Sequence, residues 1–184
     1  QKLQAIGVAL SDEHDLDKLL ALILKESCAL TVADGGSIFI REDHSEDNPH
    51  ATGKDSLHRI TSYLSLKVAQ NDSIRFPFKQ MRLPFDQNTI AGYVAYSGRT
   101  ANVPDVYQIP KDSSYAYSTA FDEVSGYRCK SMLVIPMKNR DEEIIGVIQL
   151  INKKSEKSVR LDGKDKVAKF GITFDPFDEE LLSA

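Results

Sequence analysis

The sequence predicts an α+β fold in three layers. A central antiparallel sheet of about six strands carries helices on one face and a pocket covered by short helices and loops on the other. Three observations lead there. Residues 132–137 and 144–151 are two nearly unbroken apolar runs joined by the polar turn 138–143, so they read as a hairpin at the middle of a sheet, covered on both faces. Leu16, Leu19, Leu20, Ile23, Leu24 and Cys28 form one apolar stripe, which predicts a helix over residues 16–30 with Asp15 as its N-cap. Two short helical segments lie in the long excursion before the hairpin, where a pocket would sit.

Within the hairpin, three residues break the pattern. Gly146 weakens a strand unless another element approaches closely, and Pro136 predicts a bulge or an unpaired side, because it has no N–H to donate. Gln149 stands alone among Val147, Ile148, Leu150 and Ile151, so its amide needs either core partners or a ligand.

The remaining elements follow in order. Leu3, Ile6 and Leu10 have coiled-coil-like spacing. Residues 31–36 turn the chain, with Gly35-Gly36 as breaker, into a strand over 37–41. Residues 42–56 are polar and read as a mobile loop. Residues 57–69 alternate Leu64, Leu66 and Val68 with Tyr63, Ser65 and Lys67, a strand; 71–80 is irregular, and 81–85 a short strand. A short helix over 89–96 stops at Ser97-Gly98, and a second falls within 113–124 with Asp112 as cap. Val103 precedes a proline and is therefore extended. Residues 155–171 read as an inserted excursion with a hairpin turn at Asp162-Gly163, and Phe177, Leu181 and Leu182 begin a last helix.

Composition narrows the function. A net charge of -4 argues against a nucleic-acid surface, and no apolar run reaches the ~20 residues of a membrane span. Lys157, Arg160, Lys164, Lys166 and Lys169 make a basic stretch, but Glu156, Asp162 and Asp165 dilute it, so a solvated surface is the simpler reading. Cys28 and Cys129 lack framework spacing and read as reduced thiols of a cytoplasmic protein. No phosphate-binding P-loop, nucleophile elbow, HExxH or paired CxxC is present, which argues against an enzyme. His14, His44, His50 and His58 do not share ligand spacing, so no metal site is expected. The start of the 89–96 helix, led in by Asp86-Gln87-Asn88, suits an anion; an ordinary cap by Asn88 or Thr89 explains the same residues.

Asn152-Lys153, then Phe174, then Asp178-Glu179 resembles the NKFDE signature of GAF domains in cyclic nucleotide phosphodiesterases. Ser37-Ile38-Phe39-Ile40, residues 89–94 with Asn102-Val103-Pro104-Asp105, and Gly126-Tyr127-Arg128 resemble the same family, covering roughly 16–182. The resemblance implies a single GAF domain, with 1–15 a linker or signalling helix and 16–182 the core, excised from a longer multidomain signalling protein. It implies a ligand that is a cyclic nucleotide, cGMP or cAMP, or another purine-like molecule, with guanine versus adenine open. Its ligand-binding residues would be Ser37, Ile90 and Ala91 at the helix start that approaches the cyclic phosphate, Asp122, Ser125, Cys129 and Gln149. The phosphodiesterase pattern usually has threonines at Ser125 and Cys129 and glutamate at Gln149; the plain alternative is core polar residues satisfied locally.

Asn152, Lys153, Phe174, Asp178 and Glu179 are implied to be structural or transmissive, with Lys153 and Asp178 pairing to tie the final helix to the central strand. The resulting expectation is a sensor that binds a small molecule, dimerises through its terminal helices and relays to a covalently linked output domain, itself a phosphodiesterase or cyclase, with no nucleic-acid or membrane partner. A ligand-free dimerisation module is the alternative, and a cysteine-based reductase ranks below both.

Overall fold

A computed structural model describes residues 13–46 and 59–183. The elements are α1 (Glu13–Thr31), β1 (Ala33–Glu46), β2 (Arg59–Asn71), β3 (Arg82–Pro84), α2 (Ile90–Ser97), β4 (Ala101–Val103) and a 3-10 turn (Val106–Gln108). They continue with α3 (Ala120–Ser125), β5 (Met132–Lys138), β6 (Ile144–Lys154), α4 (Lys164–Phe170), β7 (Gly171–Ile172) and α5 (Pro176–Ser183). Six strands run in the order β3-β2-β1-β6-β5-β4, all antiparallel, and β7 joins β6 beyond the end of β5.

The β5–β6 hairpin is central and covered on both faces, as its continuous apolar runs require. Leu133, Ile135, Ile148 and Leu150 pack with Leu20, Leu24 and Cys28 of α1 and with Phe174. Met132, Val134 and Val147 face the other way, against Ile90, Ala91, Val94 and Ala95 of α2. Gly146 has the close neighbour its position predicts: a Cβ there would lie 2.3 Å from the Phe39 carbonyl oxygen on β1. Pro136 pairs with Val147 on one side and lies past the end of β4 on the other, so its missing N–H costs no ladder bond there.

Several expectations are corrected by tertiary contacts. Asp15 lies inside α1 rather than capping it. Gly35 and Gly36 are not a breaker but part of β1, paired on both sides; a Cβ at Gly36 would sit 2.7 Å from the Gln149 carbonyl oxygen and 3.0 Å from Leu24. Residues 42–46 extend β1, while the rest of the expected loop, like Leu3, Ile6 and Leu10, lies outside the described residues. A register shift between Ile38 and Phe39 breaks the alternation of β2, so Leu64 and Leu66 face α2 whereas Val68 faces α1. The second short helix is α3, with Thr119 at its start making no side-chain cap, not a helix capped by Asp112. Gly163 leads into α4 rather than a hairpin, because Leu161 and Val167 bury against Tyr127 and fold the excursion onto the body.

Candidate functional site

A cavity of about 720 Å³ opens on the α2 face of the sheet, within the size range of small-molecule sites. Its floor is β1, β2 and β6, its end wall the start of α2, and its cover the strap 76–81 together with α3. Ser37 and Gln149 are direct partners across the β1–β6 ladder and both line the floor. Neither side chain has a hydrogen-bond partner among the described residues, so both keep their polar atoms for the cavity. Around them Phe39, Leu66, Leu83, Met132 and Ile151 make much of the lining apolar, while Gln70, Lys79, Gln80, Thr89, Tyr117 and Ser118 add polar groups.

The end wall is a capped helix. Thr89 Oγ1 accepts from the Gly92 amide at 3.0 Å, and Gly98, at φ 68, closes the other end. Asn88 is occupied instead with Asp86, its amide N–H and side chain donating at 2.9 and 2.8 Å. Ile90 and Ala91 border the cavity directly. So does Cys129, whose thiol pKa is pushed up to about 12 by burial and then by the Asp122 charge. Cys28 packs on the opposite face of the sheet, its thiol also pushed up to about 12 by burial. Two neutral thiols on opposite faces cannot act as an attacking and resolving pair.

Asp122 and Ser125 do not border the cavity. The buried Asp122 carboxylate accepts from the hydroxyls of Tyr107 and Tyr117, each at 2.8 Å, and from the Cys129 amide at 3.0 Å. Burial and then this carboxylate push the Tyr107 phenol up to about 12, so it stays a donor. Arg128 lies 3.8 Å over the Tyr107 ring and pairs with Asp105 at 3.2 Å. Ser125 Oγ donates to the Phe121 carbonyl at 2.6 Å and accepts from the Tyr127 amide at 3.2 Å, which closes the end of α3. Both residues hold the cavity's cover from behind.

Residues the sequence did not single out form the mouth. Phe76 meets Phe78 and Phe121 edge-on at 5.5 and 5.2 Å, and Phe78 stacks on Phe121 at 6.0 Å. The available signal was Phe76-Pro77-Phe78, two aromatics in a stretch otherwise too polar to pack.

Asn152, Lys153, Phe174, Asp178 and Glu179 form a second assembly away from the cavity. Asn152 takes a positive φ of 55 where β6 changes partner from β5 to β7, a conformation asparagine tolerates well. Its fully buried amide accepts from the Lys130 N–H and donates to the Tyr127 hydroxyl and the Arg128 carbonyl. Lys153 Nζ reaches Asp178 at 2.5 Å and Asp175 at 3.1 Å. Asp175 and Asp178 each accept from the other's amide, a reciprocal cap around Pro176 at the first helical position. Burial pulls the Lys153 pKa down, but the hydrogen bonds from Asp178 and Asp175 outweigh it and leave it raised. Asn102 of β4 donates to Glu179 at 2.7 Å and to the Phe174 carbonyl at 3.1 Å. Among the described residues no cluster could hold a metal ion, and no helix is long and apolar enough to cross a membrane.

The chain is 32% identical over 165 residues to a dual 3',5'-cyclic-AMP and -GMP phosphodiesterase 11A from Takifugu rubripes, covering 90% of this chain and 17% of that relative. Among solved structures it is similar to residues 122 to 287 of a methyl-accepting chemotaxis protein, with TM-score 0.61, 16% identity and coverage of 100% and 88% of the two chains. It is similar also to the GAF domain of a phosphoenolpyruvate-protein phosphotransferase from Coxiella burnetii, with TM-score 0.57, 18% identity and coverage of 98% and 80%. A third likeness is to a type II free methionine-R-sulfoxide reductase from Thermoplasma acidophilum, with TM-score 0.53, 16% identity and coverage of 91% and 87%. At these identities the structural likeness concerns the fold alone, and proteins of quite different names share it. The GAF domain model matches residues 15–184, nearly the whole chain, and with the antiparallel sheet and its two covered faces this makes the protein a member of the GAF domain family.

Proposed function

We propose that this chain is a small-molecule-sensing regulatory domain of a signalling protein and that its cavity takes a cyclic nucleotide, cGMP or cAMP, or a related purine-like ring. The observation that carries this is the Ser37–Gln149 pair, two unpartnered polar side chains on the floor of a cavity bordered by the start of α2. A carboxamide offers a donor and an acceptor to one edge of a heterocycle, and the apolar lining suits its faces. The 32% identity to a phosphodiesterase supports a cyclic nucleotide over other rings. Ser37, Ile90, Ala91, Cys129 and Gln149 would touch the ligand, and Asp122 and Ser125 would act through the cover.

The output is relayed through the helices that flank the domain. Lys153, Asp178 and the Asn102–Glu179 bond tie α5 to β6 and β4, so the NKFDE-like residues serve transmission rather than ligand contact. A homodimer through the terminal helices belongs to the same proposal, supported by the exposure of Leu22 and Leu30 on α1 and Phe177 on α5. The linked output domain is proposed to be a phosphodiesterase, and the site of action the cytoplasm.

Thermal melts with cGMP, cAMP and adenosine test the ligand. Ligand at a hundred times its dissociation constant adds about 2.7 kcal/mol, which for a domain this size raises the midpoint by roughly 5–10 °C. A flat response to all three, with no ligand retained in native mass spectrometry, would leave the dimerisation module as the reading. Light scattering tests the dimer, which Phe177→Glu should weaken.

A further inference from the structure

The cavity's cover is held from an unexpected place. Between Asn71, which ends β2, and Arg82, which begins β3, the chain forms a strap whose residues 76–81 close the mouth. At its far end the strap is attached by the Leu66 amide donating to the Met81 carbonyl at 2.9 Å. At its near end everything converges on Ser73, which is 1% exposed. Its amide donates to Asn71 Oδ1 at 2.8 Å, and its hydroxyl donates to the buried Asp34 at 2.7 Å. The excursion between β6 and β7 supplies the rest: the Leu161 amide donates to Ser73 Oγ, and the Arg160 guanidinium donates to the Ser73 carbonyl at 2.6 Å. Ile74, next along the strap, packs against Leu161, Val167 and Tyr127.

Between these two attachments the Ile74 amide donates to Asn71 Oδ1 at 3.0 Å, and beyond it the strap's only backbone–backbone hydrogen bond among the described residues is internal, from the Phe78 amide to the Phe76 carbonyl at 3.0 Å. Residues 77–81 are exposed, and the Phe76–Phe78–Phe121 contacts are what lay the span across the opening. The freedom of a span attached only at its ends depends on how tightly those ends are held. Leu161 itself is rigidly placed, fully buried between Tyr127 and Val167 of α4.

We propose that Arg160 and Leu161 are positioning residues that clamp Ser73, the hinge of the strap over the cavity, so that the excursion between β6 and β7 sets how tightly the cavity retains its ligand. The effect on affinity rests on reading the cavity as the ligand site; the clamp itself does not. A ligand that depends on closure binds more weakly in proportion to the population of open strap. Arg160 touches the strap's backbone and does not border the cavity, so its effect runs through closure.

The test compares the wild-type chain with Arg160→Ala, Arg160→Lys and Ser73→Ala, using hydrogen–deuterium exchange without ligand and titration with cGMP and cAMP. Arg160→Ala should speed exchange at the hydrogen-bonded hinge amides of residues 73 and 74 by about fivefold to tenfold, the factor of one lost hydrogen bond, and leave β1 and β6 unchanged. The dissociation constant for whichever nucleotide binds should rise by a similar factor, with Arg160→Lys falling between. Ser73→Ala should show the same pattern more strongly. Unchanged exchange at the amides of residues 73 and 74 in both Arg160→Ala and Ser73→Ala would overturn the clamp, as would a speed-up shared equally by β1 and β6. If neither nucleotide binds the wild-type chain, the cavity reading falls and the exchange pattern alone decides the clamp.

Discussion

Ser37 on β1 and Gln149 on β6 stand opposite one another in the ladder, on the floor of the cavity, and neither side chain has a hydrogen-bond partner among the described residues. Two polar side chains without a hydrogen-bond partner contribute little to folding by themselves. Gln149→Leu should therefore leave stability within about 1 kcal/mol of wild type and weaken cyclic nucleotide binding by about tenfold. Urea melts and calorimetric titration check the two halves; a large loss of stability with unchanged affinity would make Gln149 a core residue.

Gly146 makes a prediction about the fold rather than the ligand. A methyl group there would meet the Phe39 backbone, which cannot move without disturbing the pairing of β1 with β6. Gly146→Ala should cost ~1–3 kcal/mol or more from overpacking, read from the denaturation midpoint. Gly163→Ala, where a Cβ meets nothing within 4 Å, is the control and should be close to neutral.

Lys153 and Asp178 are both largely withdrawn from solvent, with 14% and 3% of their side chains exposed. Asp178→Ala should cost ~3–5 kcal/mol, because it strands a partly buried ammonium; Asp175 remains beside that ammonium and places the loss at the lower end. The double substitution Lys153→Met with Asp178→Ala should recover part of it, as a double-mutant cycle would measure. In the full-length protein, Asp178→Ala should keep nucleotide affinity within a few-fold while uncoupling it from output activity.

The same cluster fixes a pH dependence. The hydrogen bond from Lys153 and then the Asp178 backbone hold the Asp175 carboxyl below its usual range. A carboxylate with a depressed folded pKa contributes stability above its unfolded value of about 3.9, and that contribution is lost as pH falls through the folded value. Lys153, raised when folded, contributes below its unfolded value of about 10.4 and loses that contribution as pH rises through the folded one. Asp175→Asn should accordingly flatten the acid limb of stability below about pH 4, leaving the alkaline limb in place. Denaturant midpoints at pH 7 and pH 3 check it; identical acid limbs would show that Asp175 carries none of the dependence.

Both thiols are buried and pushed up to about 12, so neither forms thiolate near neutrality. Native protein should react with a thiol reagent at pH 8 only at the rate of unfolding, and in urea both Cys28 and Cys129 should titrate. Fast native labelling of Cys129 would reopen redox chemistry in the cavity.

The sequence by itself determined the layers, the central hairpin and the helix that walls the cavity, because these are written in local patterns. Apolar runs of strand length, a helical stripe from Leu16 to Cys28, and Thr89 and Gly98 around one short helix each carry their meaning within a few residues. It also indicated that Gln149 would need a partner. Tertiary structure decided what depends on contacts between distant segments. Gly35 and Gly36 look like a turn until β2 and β6 pair on either side of them. The family resemblance points to Asp122 as a ligand residue, but only the folded chain brings the Tyr107 and Tyr117 hydroxyls onto its carboxylate. Asp162-Gly163 looks like a hairpin until Leu161 and Val167 find Tyr127. Ser73 carries no signal at all, since its importance lies in Asp34, Arg160 and Leu161, which only the folded chain brings to it. Local spacing encodes which elements form; which side chains are already satisfied, and which are left facing a cavity, is a property of the packed whole.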